Sequence, residues 1–89
     1  MENVKIKELG SYQGKYLFAI DIAGLDYRVT LSRNYWLELT DGKEPAAQLV
    51  LDSIMFLLSR ESKESILKEF DLEDIKKYFP DFEKEIKNT

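Results

Sequence analysis

Asp21 and Asp26 are the best-placed acids in this chain for general acid–base work or for holding a cation. A two-residue hairpin turn at Ala23-Gly24 would set them opposite each other on one face. Like charges so placed repel, and Arg28, diagonal to Asp21, is expected to neutralise them in solvent. A second acidic group, Glu69, Asp71, Glu73 and Asp74, offers oxygen ligands but lacks the ligand spacing and turn glycine of a calcium loop. Its carboxylates suit helix starts instead, where the backbone dipole favours negative charge. Tyr35 and Trp36, just after Arg33, are the most ligand-like aromatics, because Trp and Arg recur at binding hot spots. Packing of Trp36 and Leu39 against the sheet edge is the competing expectation.

Histidine and cysteine are both absent, which removes the Ser-His-Asp and Cys-His nucleophile arrangements, the common zinc sites and disulfides. There is no Gly-x-Gly-x-x-Gly, Walker-type loop or nucleophile elbow, and the four glycines fall on expected turns. An enzyme built from this sequence would rely on carboxylates, lysine or tyrosine. The reading is therefore non-catalytic, with no catalytic, cofactor-binding or metal-binding residue and no cofactor assigned.

The elements that position these residues follow from the hydrophobic period. From Lys15 to Leu31 it is two, with Tyr16, Phe18, Ile20 and Ile22, then Leu25, Tyr27, Val29 and Leu31, pointing inward. Two strands joined at Ala23-Gly24 pair Ile22 with Leu25, Ile20 with Tyr27, Phe18 with Val29 and Tyr16 with Leu31, so each inward residue meets another. An earlier strand is predicted over Asn3 to Leu9, with Val4 and Ile6 inward, Lys5 and Lys7 outward, and Gly10 to Gly14 as the connection.

After Arg33 the period becomes helical. Asn34 is expected to cap a short helix ending at Asp41-Gly42, and Pro45 to open a longer one through Arg60. Ala47, Val50, Leu51, Ile54 and Leu58 form the stripe expected to cover the sheet. Leu49 and Phe56 fall on roughly the opposite side, either as an interface for a protein partner or second copy, or under Phe70, Phe79 or Phe82 of the same chain. Ser62 is expected to cap a helix carrying Ile66, Leu67 and Phe70, and Asp71, with Asp74 three residues on, to open another carrying Leu72, Ile75, Tyr78 and Phe79. Pro80 bends the chain before a last helix holding Phe82 and Ile86. Glu64 with Lys68, Glu73 with Lys77 and Glu83 with Lys87 are expected as i,i+4 pairs on solvated faces.

The fold class is α+β, with a three-stranded antiparallel meander packed against one long helix and several short C-terminal helices. One domain over residues 1–89 is expected, 1–33 forming the meander and 34–89 the helical part. The N-terminus shows no basic region before an apolar run, and the apolar stretch from Ala46 to Leu58 is broken by Gln48, Asp52 and Ser53. A cytoplasmic location without membrane contact is expected. Seventeen acidic against thirteen basic residues give a net charge of −4, which works against phosphate binding.

The ending Glu64-Ser65-Ile66-Leu67, Phe70-Asp71-Leu72, Ile75, Tyr78-Phe79-Pro80, Phe82-Glu83 resembles that of a group of small uncharacterised prokaryotic proteins. The resemblance implies no activity, cofactor or site. The two short helices are also similar to those of antitoxin-like helix-turn-helix proteins, which would imply nucleic-acid binding with Lys76 and Lys77 facing phosphates. The leading expectation is a protein–protein interaction module or homodimer, with Leu49, Phe56, Tyr35 and Trp36 as the candidate interaction surface. A nucleic-acid-binding or antitoxin-like regulator using the two short C-terminal helices is the alternative.

Overall fold

The computed structural model describes residues 3–87; Met1 and Glu2, where the N-terminal stretch read for a leader begins, lie outside them. The meander is present as β1 (Val4–Tyr12), β2 (Lys15–Ile22) and β3 (Leu25–Ser32), antiparallel in that order. Its central register is the one the alternation predicts, with Ile22 opposite Leu25, Ile20 opposite Tyr27, Phe18 opposite Val29 and Tyr16 opposite Leu31. Ala23 and Gly24 turn with φ of 51° and 94°, the doubly positive geometry whose twist matches a hairpin.

β1 runs three residues further than predicted. Leu9 bulges out between Glu8, opposite Phe18, and Gly10, opposite Leu17, so pairing resumes as far as Tyr12. Gln13 and Gly14 then make a second tight turn, again with positive φ at both residues.

Beyond β3 lie α1 (Arg33–Thr40) and α2 (Ala46–Arg60). Ser32, not Asn34, caps α1: its hydroxyl accepts from the Tyr35 N–H at 3.0 Å, while Asp41 closes the helix in the left-handed region. Pro45 stands just before α2, at the cap position. The buried face of α2 is Leu49, Val50, Ser53, Ile54 and Leu57, rotated from the predicted stripe; Ala47 is exposed and Leu51 and Leu58 are half-buried. Ser53 disguised that face, since its hydroxyl donates to the Leu49 carbonyl at 2.8 Å and so enters the core with its polarity satisfied.

The largest departure follows. Lys63–Ser65 forms a single 3-10 turn, and the chain then extends into β4 (Glu69–Asp71), which pairs parallel to β3. The expected helix through Ile66, Leu67 and Phe70 does not form. Starting a helix fixes several residues for one hydrogen bond, whereas the open edge of β3 offers partners at once: the Arg28 N–H donates to the Lys68 carbonyl at 2.7 Å. The Tyr27 hydroxyl, donating to the Lys63 carbonyl, ties the 3-10 turn to the same strand.

Asp71 then opens a 3-10 turn, Leu72–Asp74, that runs into α3 (Ile75–Tyr78), and its capping box with Asp74 forms as predicted. The chain bends at Pro80 into α4 (Phe82–Lys87), where Phe82 and Ile86 are both buried.

All these segments pack on the inner face of the sheet, where Phe18, Ile20, Ile22, Tyr27, Val29 and Leu31 meet Leu49, Val50, Ile54, Leu72 and Phe82 in one core. Lys7, Ala19, Arg28 and Glu69 form one row across the opposite face. No helix among the described residues is long and apolar enough to cross a membrane.

Candidate functional site

Of the acids singled out from the sequence, Asp21, Asp71, Glu73 and Asp74 are bonded within the fold. Asp21 does face Asp26, but Asp21 Oδ1 accepts from the Gly24 N–H at 2.9 Å, fastening the hairpin turn. The Arg28 guanidinium donates to the Tyr27 carbonyl at 3.1 Å, not to Asp21. Asp71 Oδ2 accepts from Lys15 Nζ at 2.8 Å and from the Thr30 hydroxyl at 2.9 Å, while its Oδ1 accepts from the Glu73 N–H at 3.1 Å. Burial pushes the Asp71 pKa up, but these three donors outweigh it and hold the carboxyl below its ordinary value. The hydrogen bond to Asp71 correspondingly raises the Lys15 pKa. Lys76 pairs with Glu73 at 2.9 Å and Lys77 with Asp74 at 3.1 Å, so both lysines turn to an acid three residues back, and Glu73 pairs with Lys76 where Lys77 was expected. Among the described residues no three acids gather as a metal site.

The four aromatic and aliphatic candidates do not share an exposed surface. Leu49 is 1% exposed and Tyr35 2%. The Tyr35 hydroxyl donates to Glu83 Oε2 at 2.7 Å; burial first, then that carboxylate, raises its pKa. Trp36 is half-buried, edge-on to Tyr16 at 6.0 Å, and its indole N–H donates to the Glu44 carbonyl at 2.7 Å. Phe56 is covered from within the chain. Phe79 and Phe82 meet it edge-on at 5.8 and 5.2 Å, and the Arg60 guanidinium lies 4.5 Å from its ring centre while pairing with Asp81 at 2.7 Å.

An acid pair that the sequence reading missed sits at the start of α2. Glu44 Oε1 is buried and, with the carboxyl ionised, has no donor to accept from. Hydrogen bonding with the Asp52 side chain, then burial and the charge of Asp52, raise the Glu44 pKa to about 7. Neither acid lines the groove at the far end of α2 or the hollow beside the Gln13-Gly14 turn.

The larger of these concavities is an apolar groove of about 330 Å³ where the end of α2, the chain after the 3-10 turn, β4 and α3 converge. Leu57, Ile66 and Ile75, all buried, form its floor. Phe70 from β4 and Phe79 are half-buried walls, while Leu67 and Tyr78 stand at the rim, 55% and 67% exposed. Glu61 and Asp74 add two carboxylates. The groove exists because β4 is a strand: an extended chain turns Phe70 toward the core and leaves Leu67 outside, where a helix would have buried both on one stripe. Sequence reasoning could have seen Glu69-Phe70-Asp71-Leu72 as polar–apolar alternation, but three paired residues are too few to show a period.

A smaller hollow of about 230 Å³ is lined by Tyr12, Tyr16 and Arg33 around the Gln13-Gly14 turn. Of the two helices that a helix-turn-helix would need, the first is not formed, since a strand occupies its position. Comparison with protein-family models, curated proteins and solved structures gives no match in any of the three.

Proposed function

We propose that this chain is a non-catalytic protein–protein interaction module, working in the cytoplasm, and that the groove between α2, β4 and α3 is its binding surface. One observation carries the reading: Leu67 and Tyr78, large apolar side chains, are held in water at the rim of a groove whose floor is apolar and whose shape is fixed by the core. Exposed apolar surface beside a preformed hollow is what an interface looks like before its partner arrives. Leu49 and Tyr35 are buried in the core, and none of the four sequence candidates lines this groove.

The test is photo-crosslinking from p-benzoylphenylalanine placed at Tyr78, with the same group at Tyr12, also exposed but not lining the groove, as control. The expected result is a discrete adduct from position 78 in cells of the source organism, lost when Leu67→Glu is added. Adducts no stronger than those from position 12, or unaffected by Leu67→Glu, overturn the proposal.

A further inference from the structure

The charges around the groove select among its possible occupants. The cations nearby are already engaged: Arg60 with Asp81 and the Phe56 ring, Lys63 with Glu64, Lys76 with Glu73, Lys77 with Asp74, and Lys68 over the Tyr27 ring at 4.4 Å. Asp74 has one oxygen on Lys77 and the other accepting from the Asp71 N–H. Glu61 differs. It is half-buried at the groove's edge, just past the end of α2, and its carboxylate makes no hydrogen bond or ion pair among the described residues. The uncommitted charge beside the apolar floor is therefore negative, and an apolar environment strengthens its attraction for a cation.

We infer that the occupant is a short segment of a partner protein carrying one or two large apolar side chains with a Lys or Arg close by, the apolar groups entering between Phe70, Leu67 and Tyr78 and the cation pairing with Glu61. This rests on the groove being the binding surface. The volume of about 330 Å³ lies at the small end of the roughly 300–1,000 Å³ range of ligand sites, which suits one or two anchoring side chains and not a whole helix. A basic residue adds an attraction that salt weakens, and an acidic segment is repelled by Glu61.

The experiment pans the full chain against a random dodecapeptide display library and measures the enriched peptides, made synthetically, by fluorescence anisotropy at low and moderate salt. Wild type is compared with Glu61→Gln and Leu67→Glu, all three first shown by circular dichroism to be folded. Glu61→Gln keeps the shape of the side chain at a partly exposed position, so it leaves the fold intact. Enriched peptides are expected to combine apolar residues with Lys or Arg, to bind about three- to tenfold more weakly to Glu61→Gln and more weakly in salt, and to be lost with Leu67→Glu. Peptides that depend on Leu67 but carry no basic residue, or are indifferent to Glu61→Gln, overturn the inference and leave the interaction reading standing. A dimer by light scattering that Leu67→Glu dissociates does the same, with a second copy as occupant. No enrichment on wild type over Leu67→Glu overturns both.

Discussion

Removing the Asp71 side chain tests how β4, and with it one wall of the groove, is held. Asp71→Ala deletes a helix cap, about 1 kcal/mol, and the hydrogen bond from the Thr30 hydroxyl, about 1 kcal/mol. It also deletes an ion pair with Lys15, whose side chains are 22% and 52% exposed and which adds about 0.5 kcal/mol or less. The expected loss is about 2–3 kcal/mol, or about 10–20 °C in Tm for a domain of this length. Lys15→Met, which removes the ion pair alone, is expected to cost no more than about 0.5 kcal/mol. Asp71→Asn keeps one acceptor oxygen, enough for the Glu73 N–H or the Thr30 hydroxyl but not for both, and falls between the two. Urea unfolding followed by circular dichroism measures all three. The same carboxyl makes a pH signature. Its folded pKa is depressed, so its contribution is complete above the unfolded value and is lost as pH falls through the folded one; Asp71→Asn abolishes that acid-side loss. If Lys15→Met costs as much as Asp71→Ala, or Asp71→Ala is within about 0.5 kcal/mol of wild type, the reasoning that this one side chain pins β4 fails.

Leu49→Ala is expected to destabilise by about 2–5 kcal/mol, because the side chain is fully enclosed, and to leave the molecular mass in light scattering unchanged. Loss of association with undiminished stability would instead place Leu49 at an interface. Glu44→Gln is expected to flatten the stability profile on the neutral side. The Glu44 pKa is raised to about 7, so its stabilisation is complete below the unfolded value and is lost as pH rises through about 7. After discounting for the solvent that reaches the pair, the wild-type protein should lose about 1 kcal/mol between roughly pH 5 and 8 that the variant keeps. Urea titrations at several pH values read this directly, and an equal slope in the two proteins would show that the Glu44 pKa is not raised.

The chain's local patterns determined the elements whose partners are close in sequence. Alternation from Tyr16 to Leu31 and a turn needing positive φ at Ala23-Gly24 set the central hairpin and its register, because a slip of one residue would expose every inward side chain. The Asp71–Asp74 capping box and the bend at Pro80 were legible for the same reason. Absence of histidine and cysteine removed whole classes of chemistry by composition alone. What tertiary structure decided was the fate of segments whose local preference is weak. Residues 63–71 carry helix-compatible spacing, yet β3's unpaired edge offered hydrogen bonds that a short isolated helix could not match, and Glu69–Asp71 became a strand. The buried face of α2 turned toward Leu49, Ser53 and Leu57 because a serine hydroxyl can satisfy itself on its own helix. The groove is a product of both shifts. Its floor comes from α2, α3 and the chain leading into β4, and its wall from β4, elements brought together only by the crossover that no local pattern encodes.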